Sequence, residues 1–220
     1  MFIDAVHYGP HGPLDVQAFG CDYLVCSGYK IFSPHMGFLW GRRETLNALP
    51  TFREDFVPDT TPAKLEIGTY IYENVAGMDA AVQYLEELGR LVNPAATSRR
   101  AALAAGMESI RNYEAELSRA MLDALSIVKA TVYGVTDREQ VSLRTPTLCF
   151  NLPGISPAKV TEALAQQNIG VRDGHMYSPR LMKRLGLTKE SGAVRASLVH
   201  YNTLEEVERF KAALAAIAKG

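Results

Sequence analysis

Long apolar runs are missing from this chain. No stretch approaches the length of a membrane span. The N-terminus has no basic segment leading into an apolar core and a cleavage site, so no secretory signal is expected. A dominant charge is missing too: 23 Lys and Arg stand against 24 Asp and Glu, a formal net charge of −1. That balance removes the electrostatic case for nucleic acid or an anionic membrane as partner. Cysteine is scarce, at Cys21, Cys26 and Cys149 only. An odd count without close pairing argues against a disulfide framework and fits a reducing, cytoplasmic setting. Cys21 and Cys26 lack zinc-knuckle spacing and no second pair exists, so no metal centre is expected. Both read as small apolar packing residues. Internal repeats and low-complexity tracts are absent as well. What remains is ordinary globular material: 220 residues, 47% hydrophobic and 21% charged. That suffices for a sizeable core in one large domain or two small ones.

The pattern along the chain is that of an α/β protein. Met1–Val6, Tyr23–Cys26 and Met36–Trp40 read as strands, Leu14–Phe19 as a short helix, and Tyr8–Pro13 as a loop. The polar, Pro-containing segment 53–64 reads as a long surface loop, a common place for function or subunit contacts. Residues 72–89 form an expected helix whose apolar face runs through Val75, Met78, Ala81, Val82, Leu85 and Leu88. Asn93–Pro94 breaks it, and a second long helix is expected over 95–126. Further strands are expected at 127–132, 147–151, 169–171 and 194–199. A helix over 157–167 should start at an N-cap Ser156 with Pro157 in its first position. A last helix should start at Thr203, with Glu206 completing a capping box. The break at Asn93 sets expected domains of 1–92 and 93–220.

Lys30 lies in the run Cys26-Ser27-Gly28-Tyr29-Lys30, at the exit of an apolar strand. A stem held by the fold with its amine in a crevice is what an imine-forming lysine needs. Asp4 lies within another apolar stub, Phe2–Val6. Taken singly, a lysine after a strand is usually a solvated turn residue and an Asp there a turn former. An acid and a lysine at the carboxyl ends of neighbouring strands together suggest a pyridoxal 5'-phosphate (PLP) site, the lysine carrying the Schiff base and the acid pairing with the pyridinium nitrogen.

Several segments in order carry a more specific likeness. They are Asp4-Ala5-Val6-His7-Tyr8, Asp15-Val16, Cys26-Ser27-Gly28-Tyr29-Lys30, Pro34-His35-Met36-Gly37 and Glu66-Ile67-Gly68-Thr69, then Arg172-Asp173-Gly174-His175, Val194-Arg195-Ala196-Ser197 and Tyr201-Asn202-Thr203. Together they resemble the class V aminotransferase-fold enzymes, PLP enzymes of the cysteine desulfurase and selenocysteine lyase type. The resemblance implies a fold-type I PLP-dependent transferase acting at the Cα of an amino acid, as a homodimer with a shared active site. It implies that Lys30 carries the cofactor and moves protons, that Asp4 pairs with the ring nitrogen, and that His7 bonds the phenolic oxygen. Ser27 would hold the phosphate, joined by Gly68 and Thr69 from the partner subunit. Tyr29 would lie against the cofactor. Arg195 would clamp the substrate carboxylate, with Arg172 and His175 near the substrate end. Arg195 has support of its own, because a guanidinium within an apolar strand needs an anion. His11 and His35 read as structural.

Three departures stand out. Desulfurases of this type usually have histidine where Tyr29 stands. They carry a nucleophilic cysteine shortly after the Gly-His of the substrate loop, whereas Met176, Tyr177 and Ser178 follow here. This argues against a persulfide relay and leaves lyase, aminotransferase or epimerase chemistry. Family members also have a long segment before the position of Met1, which supplies the other wall of the pocket. Residues 1–92 are thus expected to be a partial large cofactor domain and 93–220 a small C-terminal α/β domain. The rival expectation is a non-catalytic fragment or accessory subunit that pairs with a complete relative or a separate N-terminal half.

Overall fold

The computed structural model describes residues 1–66, 68–188 and 191–219. Its contacts divide the chain into two compact units, Met1–Ser109 and Ile110–Gly220.

The first unit holds β1 (Phe2–Asp4), α1 (Val16–Phe19), β2 (Tyr23–Ser27), β3 (Gly37–Gly41), α2 (Arg43–Ala48), α3 (Tyr72–Val92) and the first part of α4 (Arg99–Ile127). The sheet order is β1-β2-β3. The β1–β2 connection is long enough for a crossover, and the two strands pair in parallel, Asp4 opposite Val25. The shorter β2–β3 connection returns the chain antiparallel, with Ser27 opposite Gly37. Asp15 caps α1 by accepting from the amides of Gln17 and Ala18, and left-handed Gly20 ends it. The core under this sheet is Ala5, Cys21 and Leu24, flanked by Ile3, Phe38 and Trp40.

Two glycines allow α3 and α4 to touch backbone to backbone. A Cβ on Gly89 would lie 1.8 Å from the Ala102 carbonyl oxygen, and one on Gly106 would lie 2.7 Å from that of Leu85. Arg99 adds a 2.9 Å ion pair to Glu86. Ala81 and Leu85 of the expected apolar face are buried, whereas Val75 is exposed. The expected boundary at 92/93 coincides with the end of α3. The division between units lies further on, inside α4, because its first turns pack on α3.

The segment 53–64 is tethered by a lysine. Lys64 is buried, donates to the Asn47 carbonyl oxygen at 2.9 Å and pairs with Asp59 at 3.3 Å. Its hydrogen bond, followed by its charge and that of Arg53, holds the Asp59 carboxyl below the usual aspartate range.

The second unit holds the rest of α4, then β4 (Thr131–Tyr133), β5 (Thr147–Asn151), α5 (Pro157–Ala165), β6 (Arg172–Gly174), α6 (Pro179–Arg184), β7 (Ala193–Ser197) and α7 (Leu204–Ile217). Its sheet is antiparallel in the order β4-β5-β7-β6. Leu148, Phe150, Val194 and Ala196 point to one face and are buried in the same core as helix residues Leu125 and Phe210. Strand side chains alternate, so Cys149 and Arg195 point to the other face. Ser156 caps α5 with Pro157 in its first turn. Thr203 and Glu206 form the full capping box on α7. Thr203→Ala should therefore lower stability by about 1 kcal/mol, read from chemical denaturation, with Thr203→Ser restoring most of it.

Two expected strands shift. Ile127 still belongs to α4 and residues 128–130 turn rather than extend: left-handed Lys129 ends the helix, and the Ala130 amide bonds back to the Leu125 carbonyl. Residues 169–171 are likewise outside the sheet. Asn168 is left-handed and the Ile169 amide bonds to the Leu164 carbonyl, so pairing starts only at Arg172. Helices α2 and α6 were not expected, being short and without a side-chain cap. Among the described residues no helix is long and apolar enough to cross a membrane.

Candidate functional site

In the first unit the parallel pairing of β1 and β2 sets the geometry. Both carboxyl ends lie at the same sheet edge, where Asp4 ends β1 and Ser27 ends β2. Ser27 leads into a single 3-10 turn, Gly28–Lys30, and its hydroxyl caps no amide of that turn. Asp4 accepts from the Val6 amide at 2.9 Å, which orients its carboxylate at the strand end. Between them lies Cys26, whose buried thiol contacts the Ala5 carbonyl oxygen at 3.5 Å. Burial pushes this thiol up and the Asp4 charge adds to that, while the Ser27 backbone and Lys30 pull it down. The acid and the lysine thus both act on one thiol at this edge. His7 is exposed, and its ring meets the buried His11 edge-on at 5.6 Å.

Lys30 is exposed, as is Tyr29 beside it. The expected crevice is not formed here, because a three-stranded sheet leaves its carboxyl edge open to solvent. Gly68 and Thr69 are exposed too. Gly68 is left-handed with open space around it, and no described hydrogen bond ties it to the Lys30 edge. Ile67, in the same motif, lies outside the described residues.

In the second unit, Arg172 and Arg195 stand directly opposite each other on β6 and β7, and Cys149 is opposite Arg195 on its other side. Cross-strand partners project from the same face. The Arg195 Nε is buried and has no hydrogen-bond partner. Burial raises the Cys149 thiol, and the Arg195 charge opposes this. His175 follows β6, its Nδ1 accepting from the Tyr177 amide at 3.1 Å. The backbone there is strained: Met176 and Tyr177 are both left-handed, at φ 48 and 61.

The donors of the first unit fit PLP. An acid and a lysine share the carboxyl edge of parallel strands, the usual ligand position in open α/β sheets. Separately, in the second unit, the buried Arg195 N–H without a partner is costly and would be satisfied by an anion such as a carboxylate.

The Aminotransferase class-V family model matches residues 1–210. The chain belongs to the class V aminotransferase family. It is 34% identical over 215 residues to the aminotransferase-like protein FGM3 of Gibberella zeae, covering 96% of this chain and 50% of that protein. It is 34% identical over 229 residues to a probable cysteine desulfurase of Synechocystis sp., covering 98% and 49%. The apo cysteine desulfurase of Thermococcus onnurineus NA1 superposes with a TM-score of 0.83 at 26% identity, covering all of this chain and 52% of that one. The class V chain thus spans about half the length of these relatives. Its α/β architecture is that of the fold-type I transferases.

Proposed function

We propose that this chain is the lysine-bearing part of a PLP-dependent enzyme acting at the Cα of an amino acid. The shared carboxyl edge of Asp4 and the Ser27–Lys30 turn carries this reading. PLP bound there supplies an electron sink for the pair left at Cα. Lys30 would hold the cofactor through its amine and would move the proton at Cα. Asp4 would pair with the ring nitrogen and keep its proton, and His7 would donate to the phenolic oxygen. The uncommitted Ser27 hydroxyl donates to the phosphate, joined by Gly68 and Thr69 of a second copy. Arg195 holds the substrate carboxylate, and Arg172 and His175 line the substrate end. Residues 1–92 belong in this reading to the large cofactor domain and 93–220 to the small domain. A thiol is absent from the 174–178 loop, which supports lyase, aminotransferase or epimerase chemistry over a persulfide relay.

A homodimer with a shared site is supported by the exposed apolar side chains of Phe52, Phe56, Tyr70, Ile71 and Tyr72. Three unpaired cysteines support a cytoplasmic setting. A second reading, an accessory subunit completed by another polypeptide, is favoured by β1. It lies at the sheet edge with Phe2 exposed, a place for an added strand.

The test is to incubate the protein with PLP, reduce with borohydride and map the pyridoxyl group by peptide mass spectrometry. Stoichiometric labelling of Lys30 alone supports the enzyme reading. Scattered labelling, or none, supports the accessory subunit. Arg195→Gln should weaken amino-acid binding by about 10- to 100-fold, the worth of a charge-assisted pair. Chemical-shift titration of the β5–β7 amides checks this. Fold stability should not fall, because the lost Nε has no partner.

A further inference from the structure

The segment between Lys30 and β3 is held more firmly than a surface turn requires. The Gly28 amide bonds to the Met36 carbonyl at 2.7 Å, and the Ser33 amide bonds back to the Gly28 carbonyl at 3.1 Å. Helix α3 backs the closed loop. A Cβ on Gly77 would fall 2.4 Å from the Pro34 ring, and one on Gly28 would fall 2.8 Å from Met78 Cε. Asn74 donates to the His35 carbonyl oxygen at 3.0 Å. Phe32 sits in the left-handed region at φ 61, an unfavourable place for an aromatic residue, and meets Tyr84 of α3 edge-on at 6.1 Å.

This reversed loop brings the Tyr29 and His35 rings face to face. Their centroids are 5.2 Å apart and their planes differ by 20°. The Lys30 Nζ lies 5.9 Å from the Tyr29 centroid, within reach of a cation–ring attraction. Both rings and the lysine are exposed at the carboxyl edge of the sheet. A lone exposed tyrosine would sample several rotamers, and the lysine above it more. A ring stacked on the phenol narrows both distributions.

We propose that Tyr29 and His35 form a stacked aromatic platform that positions the Lys30 amine, and that His35 is a positioning residue for the lysine chemistry. Tyr29 makes the contact, and His35 acts through it. The functional consequence rests on the PLP reading above, whereas the platform itself does not. Its contribution comes from ring shape and polarisable face, so phenylalanine replaces His35 and a flexible polar chain does not.

The first measurement needs no cofactor. The Lys30 ε-CH₂ carbon and proton shifts are recorded in 13C-lysine protein for wild type, His35→Phe, His35→Gln, His35→Ala and Tyr29→Leu, the amide spectrum confirming that each folds. Wild type and H35F should share a ring-current shift that Y29L abolishes and that H35A and H35Q reduce to less than about half. The second measurement is borohydride trapping at limiting PLP. H35A and H35Q should lower the Lys30 label by about two- to fivefold, the scale of an exposed cation–ring contact, with H35F close to wild type. If H35A and H35Q keep the wild-type Lys30 shift, the platform is overturned. A platform seen by shift with no pyridoxyl group on wild-type Lys30 overturns the PLP reading alone. Normal labelling of H35A beside a lost shift overturns the positioning role and leaves that reading intact.

Discussion

Lys30→Ala should abolish site-specific trapping of PLP. In the wild type we expect one pyridoxyl group per chain on the peptide containing Lys30; in the variant, less than about a tenth of that, because an imine needs a free amine in the right place. Lys64 is an internal control. It is buried, with its amine committed to the Asn47 carbonyl and Asp59, and should stay unlabelled in both proteins. Lys129, Lys159, Lys183 and Lys219 are exposed and report non-specific reaction. Lys30 differs from them in its surroundings: the Asp4 carboxylate lies at the same strand edge and Tyr29 lies beneath the amine. Equal label on Lys30 and on these four would remove the case for a site. A stoichiometric adduct surviving in Lys30→Ala would sink it outright.

The second large effect is on stability. Gly89→Ala adds one methyl group and should cost about 3 kcal/mol or more, at the upper end for overpacking. The usual escape is a rotamer change in a neighbouring side chain. Here the obstruction is the Ala102 carbonyl oxygen, 1.8 Å from the new Cβ, with the carbonyl carbon at 2.4 Å. Backbone cannot rotate away, so α3 and α4 must separate, weakening contacts along the whole crossing. Alanine is the better helix former by about 1 kcal/mol in an isolated helix, so propensity alone predicts the opposite sign. Urea denaturation of Gly89→Ala separates the two. Gly20→Ala tests a different cost, because that glycine has open space around it and only its left-handed φ of 61 resists a side chain. It should cost about 1 kcal/mol.

The regular elements with strong local signals were readable without the fold. The strand 147–151 alternates cleanly and forms as expected, since one face packs into a core and the other does not. The caps at Ser156 and Thr203 are local hydrogen-bond devices and sit where the residue pattern puts them. The neighbouring strands that end at Asp4 and lead into Lys30 were legible as two apolar stubs, and they do pair, in parallel. Other features carry no local signal. Lys64 and its loop look like a solvated polar stretch, yet the lysine is buried because the Asn47 carbonyl is brought to it from outside the loop and Asp59 folds back on it from within.

The chain's residues by themselves determined its class, its strand-exit lysine and acid, an arginine within an apolar strand and the order of its family motifs, all of which depend on composition and short-range pattern. Tertiary structure alone decided the rest. It paired Arg172 with Arg195, because strand register is set by which residues the α5–β6 turn consumes. It stacked His35 on Tyr29, because a left-handed Phe32 and contacts from α3 fold the intervening loop back on itself. It left Lys30 at an open edge, because enclosure depends on how many strands and helices surround an edge, and no single stretch of sequence encodes that number.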